Sequence, residues 1–547
     1  MVENQNKIFY NKITKNEDNN KYGQKKLKKI KKHRRKKIML KNKKGITLIA
    51  LVVTIVVLLI LAGVTLNLLL DENGIISKSK DVRNKWAEAQ EKEQKEMDDF
   101  LKENFPNWDG KQTEMPEIKK NETTSKFDWY IYNESQMKFL ANYVNNTLTE
   151  QDQKMITDNN TTVDDIAITE ETTIYLMNDL NLGATFDSTG NLISGEQWIP
   201  IGATKDKTML GTFEGNNHYI CGVYINRNEK FNGIFGNCNS IKNLTIKNSY
   251  IEGLNCTGGI AGVARKGTVE NCHNNNTTVV LKKGSNRTAG GIVGQCNGEK
   301  IEKCTNTGEI ISYVIGTNAY AQIGGICGIS QNTNYTECTN YGTVKVELEE
   351  VQDSAYTGGI CGMIVISQEG KGIIRNCHNE GRIKGVLSVG GIAGSSSIGV
   401  DIQNCSNIGN VEGYCFIGGI VGQFGNTENK LSYSNLSECY NSGDIIAKDL
   451  SDMEAGGIIG TIRNRGREDV ITKCYSKGNI INAKEKCGAI IGYDENTEPK
   501  AKLSELYYLN SVGVGAMNNS DDETRKLQAV EDDIKTYEEF LEWIKNK

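Results

Sequence analysis

The sequence predicts an all-β protein: a right-handed parallel β-helix over residues 127–510, joined to an N-terminal helix that forms a membrane segment and a stalk. Three observations predict it. A five-residue unit, GGIxG, recurs seven times, starting at Gly258, Gly290, Gly324, Gly358, Gly390, Gly418 and Gly456. A second unit, C-x-N-x-G-x-[IV], follows it, with cysteines at Cys304, Cys338, Cys377, Cys405 and Cys439, and looser copies at Cys272 and Cys474. The chain of 547 residues holds 57 glycines against 4 prolines, with 7% aromatic residues, a composition that excludes collagen and Pro-rich linkers. Alternating polar and β-branched residues mark strands. Motif spacings of 26–38 residues are too irregular for helix-pair repeats and natural for coils with variable loops.

The elements follow in chain order. Residues 1–45 are a basic leader: 1–44 carry 17 Lys/Arg against three acidic side chains, a net +14, so the remainder carries −18 within a total of −4. A basic arm before an apolar run and an acidic body after it is the positive-inside arrangement, which places the arm in the cytoplasm and the body outside. The run KKLKKIKKHRRKK at 25–37 also fits a nucleic-acid patch, but topology already explains its charge, and no nucleic-acid partner is expected. Residues 46–70 hold no charged side chain. As a helix rising ~1.5 Å per residue they cross a ~30 Å hydrocarbon core, and they exceed the ~7–15 residues of a cleavable secretory segment. Residues 71–126 read as a helical stalk and linker, broken at DENG and then rich in Lys, Glu, Gln and Ala.

In the repeats, adjacent coils ~4.8 Å apart stack equivalent side chains as ladders. Nine to twelve coils are expected, a rod of ~45–60 Å. Stacked cysteines act as small buried hydrophobes; their parallel Cβ vectors suit a disulfide poorly, and the count of 15 is odd. Free structural thiols are therefore favoured over disulfides, and no CxxC pair supports zinc. Asparagines form an amide ladder, and glycines allow close backbone approach. Both ends look capped. NESQMKFLANYV has Met137, Leu140, Ala141 and Val144 at helical spacing, with Asn133 and Gln136 placed for a capping box. Within the C-terminal linker and cap, 511–547, YEEFLEWIK repeats the stripe with Tyr537, Phe540, Leu541 and Ile544. Such caps cover terminal coils.

Two resemblances add to this reading. The GGIxG unit, with TIYLMNDLNL, WIPIG and GTFEGNNHYI ahead of it, resembles the GLUG motif of repeat regions in bacterial surface proteins and some secreted IgA-cleaving peptidases. KKGITLIA, followed by the apolar run, resembles the type IV prepilin signal. That resemblance implies cleavage between Gly45 and Ile46 by a prepilin peptidase, methylation of Ile46, and pilin-like subunits as partners. Ala50 stands where the prepilin family carries a glutamate for pairing with a neighbouring N-terminus, and alanine cannot make that contact. An uncleaved single-pass anchor is the alternative.

No catalytic constellation is legible. The histidines are His33, His218, His273 and His378, with no HExxH. The DD pairs lie outside the repeats, and the calcium nonapeptide and phosphate loops are missing. No cofactor, metal site or enzymatic activity is expected. The expected function is a membrane-anchored cell-surface adhesin that presents the β-helix to a glycan or a host or cell-surface protein. The alternatives are a carbohydrate-active β-helix enzyme and a structural, minor pilin-like subunit. The longest inter-repeat insertion, 423–455 with FGNTENKLSYSN, is a natural place for specificity.

Overall fold

The computed structural model describes residues 108–546, with breaks at 283–286, 315–319, 349–353, 367–371, 398, 426–432, 449–452, 464–468, 484–485, 496–500, 510–526 and 532. The leader, the apolar run with Gly45 and Ile46, and residues 71–107 of the stalk and linker lie outside the described residues; residues 108–126 form no helix and hold the strand Glu117–Lys120. Among the described residues no helix is long and apolar enough to cross a membrane.

The chain is a parallel β-solenoid of about eight turns. A representative turn has five strands, here called walls a to e: Cys327–Gln331, Asn334–Thr336, Thr339–Asn340, Val344–Leu348 and Ser354–Gly358. Walls a, b and c stack into one large sheet, and walls d and e each form a nine-stranded sheet. Stacking is in register: Cys327 pairs with Cys361, Tyr335 with Ile374, Asn340 with Asn379, Val344 with Ile383 and Gly324 with Gly358. The turns number fewer than the nine to twelve expected. Walls d and e begin only at Tyr224–Asn226 and Lys230–Asn232, because the preceding residues build a cap and a small antiparallel hairpin, Thr185–Phe186 with Leu192–Ser194.

The interior is two cores rather than one. One gathers the motif isoleucines (Ile292, Ile326, Ile360) with the cysteines and the wall b aliphatics Ile301, Ile374 and Ile402. The other lies between walls d and e and holds Ile310, Ile323, Val344, Val389 and Ile417. The cysteines of the second motif are fully buried. All fifteen cysteines are free. Cys304 Sγ lies 3.3 Å from the carbonyl of Glu302, a weak S–H donation.

The asparagine of C-x-N-x-G stands where the interior narrows. Asn306 Nδ2 donates to Asn340 Oδ1 at 2.8 Å, Asn340 to Asn379 at 2.8 Å, Asn379 to Asn407 at 2.7 Å and Asn407 to Asn441 at 2.8 Å. Each also donates to the carbonyl two residues on, as Asn340 does to Gly342 at 2.8 Å. The residue before each motif cysteine is left-handed: φ is 54° at Lys303, 55° at Glu337, 53° at Asn376 and 54° at Asn404. Lysine and glutamate are unfavourable there, so the stack on either side holds the bend.

The N-terminal cap begins upstream of the expected boundary at Phe127. Strand β1 (Glu117–Lys120) pairs antiparallel with β2 (Phe127–Ile131). Helix α1 (Glu134–Asn145) buries Met137, Phe139, Leu140 and Ala141 in the first core. Trp129 meets Tyr143 edge-on at 4.9 Å. Asn133 caps α1 by accepting from Gln136 N at 2.9 Å, but the Gln136 side chain accepts from Tyr132 N, one residue earlier than a capping box requires. A true capping box sits in α2 (Glu150–Asp158), between Thr149 and Asp152, a helix the periodicity reading did not anticipate.

The C-terminal helix α3 (Tyr537–Lys545) does not close the last coil. It lies on the flank, over the outward residues of wall c. Those residues are Thr339, His378 and Ser406 in middle turns, but Tyr440, Tyr475 and Tyr507 in the last ones. Tyr440 and Tyr475 stack at 5.8 Å; Phe540 lies 5.9 Å from Tyr440 and Trp543 4.8 Å from Tyr507. An apolar ladder on the outside demands cover, and α3 provides it. The terminal coil is instead extended by the strand Leu527–Val530, which pairs in parallel with Lys502–Leu509.

Both cores and all of these pairings lie within residues 108–546, so the piece 107–547 retains them. In that piece Asn340→Ala removes the acceptor of one Asn306 amide N–H, and the donor to Asn379 Oδ1 and to the Gly342 carbonyl. Urea unfolding is expected to show a loss on the order of 3 kcal/mol. A loss of about 0.5 kcal/mol, typical of an exposed site, would contradict a structural role for the ladder.

Candidate binding site: the furrow at the glycine corner

The glycines of GGIxG each prevent a different collision. A Cβ on the first, Gly324, would run into the carbonyls of Cys327 and Ile360. On the second, Gly325, it would overlap the Gly359 carbonyl and the Asn340 side chain, so the glycine corner and the asparagine ladder interlock. On the last, as at Gly362, it would strike the backbone of wall e at Ile323 and Tyr356. Gly258, Gly290, Gly358, Gly390, Gly418 and Gly456 repeat the first position. Walls e and a therefore approach to backbone contact at a sharp corner.

Outside that corner, the outward rows of the two walls face each other across a furrow. Cys256 Sγ on wall e is 3.6 Å from Gln295 Oε1 on wall a. Further along, Tyr356, Leu387, Cys415 and Phe416 form an apolar cluster, with Tyr320, Met363 and Tyr414 against it, separate from both cores. These side chains sit two residues before each GG, or beside that position. The column was legible in the sequence, but its residue types vary from turn to turn, so no repeated letter signalled it.

Corner lengths mark the furrow independently. The e-to-a corner is two residues at each of its nine occurrences among the described residues, and b-to-c is two from Lys242 to Tyr440, after which walls b and c run on as one strand, Val470–Ser476. The c-to-d corner is two or three. By contrast a-to-b runs from two to ten residues and d-to-e from one to six. These two variable corners are the far ends of walls a and e, the two lips of the furrow. The insertion singled out above supplies the longest lip, 425–434. Within it, 426–432 lie outside the described residues, and Tyr433 is exposed.

The furrow changes character toward its C-terminal end. Glu454 on wall e is 3% exposed. Its Oε1 is 3.3 Å from Lys486 Nζ. The fully buried Thr461 hydroxyl of wall a faces the same carboxyl and favours its charged form through a side-chain hydrogen bond. Burial pushes the Glu454 carboxyl above its usual range; Glu495 adds to this, while Thr461, Lys486 and Arg463 oppose it. Arg463 binds Glu495 at 2.9 Å and lies 4.2 Å over the Phe416 ring. Lys486 lies 4.7 Å over Tyr493.

Histidines and acids elsewhere are dispersed. His273 bonds Thr305 and Asn271, His378 bonds Ser406, and His218 bonds Asp179. Among the described residues no group of three or more His, Cys, Asp or Glu side chains is placed to hold a metal.

No family model matches the chain. A stretch of 136 residues is 29% identical to halomucin of Haloquadratum walsbyi, covering 24% of this chain and 1% of halomucin. A crystal structure of a candidate immunoglobulin A1 protease from Bacteroides ovatus superposes with a TM-score of 0.30 at 17% identity, over 69% of this chain and 84% of that one.

The raised carboxyl at Glu454 has a signed consequence. Its folded value lies above the ordinary 4.5, so the folded state holds the proton longer than the unfolded state. Stability is greatest below the unfolded value and declines as pH rises through the folded one. Glu454→Gln removes that decline. Its melting temperature is expected to gain on the parent between pH 5 and pH 8; a difference constant across that range would contradict the assignment.

Proposed function

We propose that the chain is a bacterial cell-surface adhesin of the GLUG-repeat type, anchored by residues 46–70 with a cytoplasmic N-terminus and an extracellular solenoid, and that it binds a glycan or a host or cell-surface protein along the glycine-corner furrow. The supporting observation is the confinement of length variation to the two lips, while the corners that build the scaffold stay constant. Loops on a rigid frame are where recognition residues accumulate. The proposal keeps Gly45–Ile46 as a prepilin-type cleavage site. With Ala50 at the fifth mature position, the protein would act as a displayed adhesin or a minor pilin-like subunit rather than a major filament subunit. One observation favours a second reading as a carbohydrate-active enzyme: a raised carboxyl, Glu454, whose charge is coupled to that of a second carboxylate, Glu495, itself paired with Arg463.

The 107–547 piece, screened on glycan and matrix-protein arrays and incubated with the same polysaccharides, separates the readings. Binding without chain shortening supports the adhesin, shortening supports the enzyme, and neither supports a structural subunit. N-terminal sequencing of protein extracted from membranes is expected to begin at Ile46; a start at Met1 would favour the uncleaved anchor.

A further inference from the structure

We infer that Lys282 and Asn226 join through a spontaneous isopeptide bond, with Glu252 carrying the protons, and that this bond clasps the opening rungs of wall d. The wall opens at the strand Tyr224–Asn226, which pairs with one strand of its sheet, Tyr250–Gly253, among the described residues. Register puts Asn226 opposite Glu252, and Glu252 opposite Val280 on the next rung, Thr278–Leu281. Lys282 stands two residues after Val280, so the two share the outward side, and its backbone N–H donates to the Gly253 carbonyl at 2.9 Å. Its side chain crosses the middle rung: Lys282 Nζ donates to Asn226 Oδ1 at 2.5 Å and to Asn228 Oδ1 at 3.0 Å. At the other end of the same amide, Asn226 Nδ2 donates to Glu252 Oε2 at 3.0 Å. An amine and a carboxyl group therefore meet the two atoms bonded to one amide carbon, Asn226 Cγ.

The surroundings suit this reaction. Further along wall d, lysines meet carboxylates and form ion pairs, Lys345 with Glu309 at 2.8 Å and Lys384 with Glu347 at 3.5 Å. Lys282 meets an amide instead, an acyl carbon with a nitrogen that can leave. The group borders Tyr224, whose hydroxyl is 3.4 Å from Asn226 Nδ2, and Tyr250, whose hydroxyl donates to Glu252 Oε2 at 3.0 Å. Both tyrosines are buried, and Phe186 of the hairpin lies 5.7 Å from the Tyr250 ring. Asn226 N donates to Gln197 Oε1 at 3.1 Å, so amide and carboxyl are both held. Holding the reactants in contact replaces the encounter that an amine and an amide need in solution. The step balances. The lone pair of unprotonated Nζ adds to Asn226 Cγ and the Cγ–Nδ2 bond breaks. Nδ2 leaves as ammonia after taking a proton from the Glu252 carboxyl, which regains one from Nζ. No oxidant or cofactor enters, and escape of ammonia makes the bond permanent. Asn228 is exposed, and the carboxyl lies on the Asn226 amide, so Asn226 is the acyl partner. The closed loop, 226–282, ties the edge strand of wall d to a strand two rungs away, and a cross-link of this kind also restricts the unfolded chain.

The test is the intact mass of the 107–547 piece. The bond makes it lighter than its sequence by one ammonia, about 17 Da, and tryptic digestion is expected to yield a peptide pair linked between Asn226 and Lys282. A succinimide also sheds ammonia, but it links no two peptides. Lys282→Arg keeps the charge and removes the nucleophile, and Asn226→Ala removes the acyl group; both are expected to show the full sequence mass. Glu252→Gln keeps a hydrogen-bonding side chain without the acid, and is expected to lower the linked fraction roughly tenfold or more with the melting transition retained. Asn228→Ala is expected to leave the linked fraction unchanged. A folded parent with the full sequence mass and no linked peptide would overturn the inference, whether or not any variant folds. So would a mass loss that persists in K282R, or a linked fraction unchanged in E252Q. The glycan and matrix-protein arrays have no bearing on this outcome, because the bond forms within the chain.

Discussion

The structure depends on one contact, the packing of each ladder asparagine against the second glycine of GGIxG. Asn340 touches the position where a Cβ on Gly325 would stand, and Asn379 does the same at Gly359. The asparagine donates along the stack and across its own turn at once. A parallel stack without this interlock could slide or open at the corner, because its two cores, one between walls a and b and one between walls d and e, make no shared hydrophobic cluster. The polar ladder thus joins two apolar lobes. Satisfied amides in a dry setting rigidify and specify a register, which is what a solenoid with few long-range constraints requires.

The furrow is a by-product of the same contact. Forcing walls e and a into backbone proximity bends the coil sharply, and outward side chains on the two walls then face one another. Every turn supplies this geometry, but not every turn uses it alike. Around Tyr356 and Phe416 the space is filled by apolar side chains from both walls. At Glu454 it holds a buried carboxyl group beside Thr461 and Lys486. The frame is repetitive and the lining is not, so the lining is where turns differ in chemistry.

This contrast explains what was legible in the sequence. Strands, register, buried cysteines and the amide ladder follow from letters that recur at fixed offsets, because stacking makes identical positions neighbours. The furrow lining follows a position rather than a letter: Tyr356, Ser388, Phe416 and Glu454 occupy one column with no shared residue type. The left-handed bends at Lys303 and Glu337 were hidden for the opposite reason. Glycine or asparagine normally announces such a bend, whereas here the stacked neighbours impose it on lysine and glutamate. The capping helices were partly legible. Their apolar stripes predicted helices, but a stripe does not say which surface it covers. The surface under α3 is set by three tyrosines that replace small polar residues on wall c, a substitution visible only once the columns are aligned.

Length variation carries the functional argument further than residue identity does. The three short corners cannot lengthen without breaking a ladder: the asparagine and glycine at c-to-d, the glycines at e-to-a and the left-handed residue at b-to-c are each locked by the turns on either side. The a-to-b and d-to-e corners share no lock that repeats in every turn, although Thr333, Ser434 and Asp469 tie individual a-to-b corners to their neighbours, and insertions there cost little beyond loop closure, which grows slowly with length. Freedom alone would predict scatter along the whole solenoid. Instead the ten-residue connection at 425–434 and the seven-residue connections at 463–469 and 495–501 gather at the C-terminal rungs. Tolerance explains where insertions are allowed, and the proposed surface-binding role would account for their gathering at the C-terminal rungs.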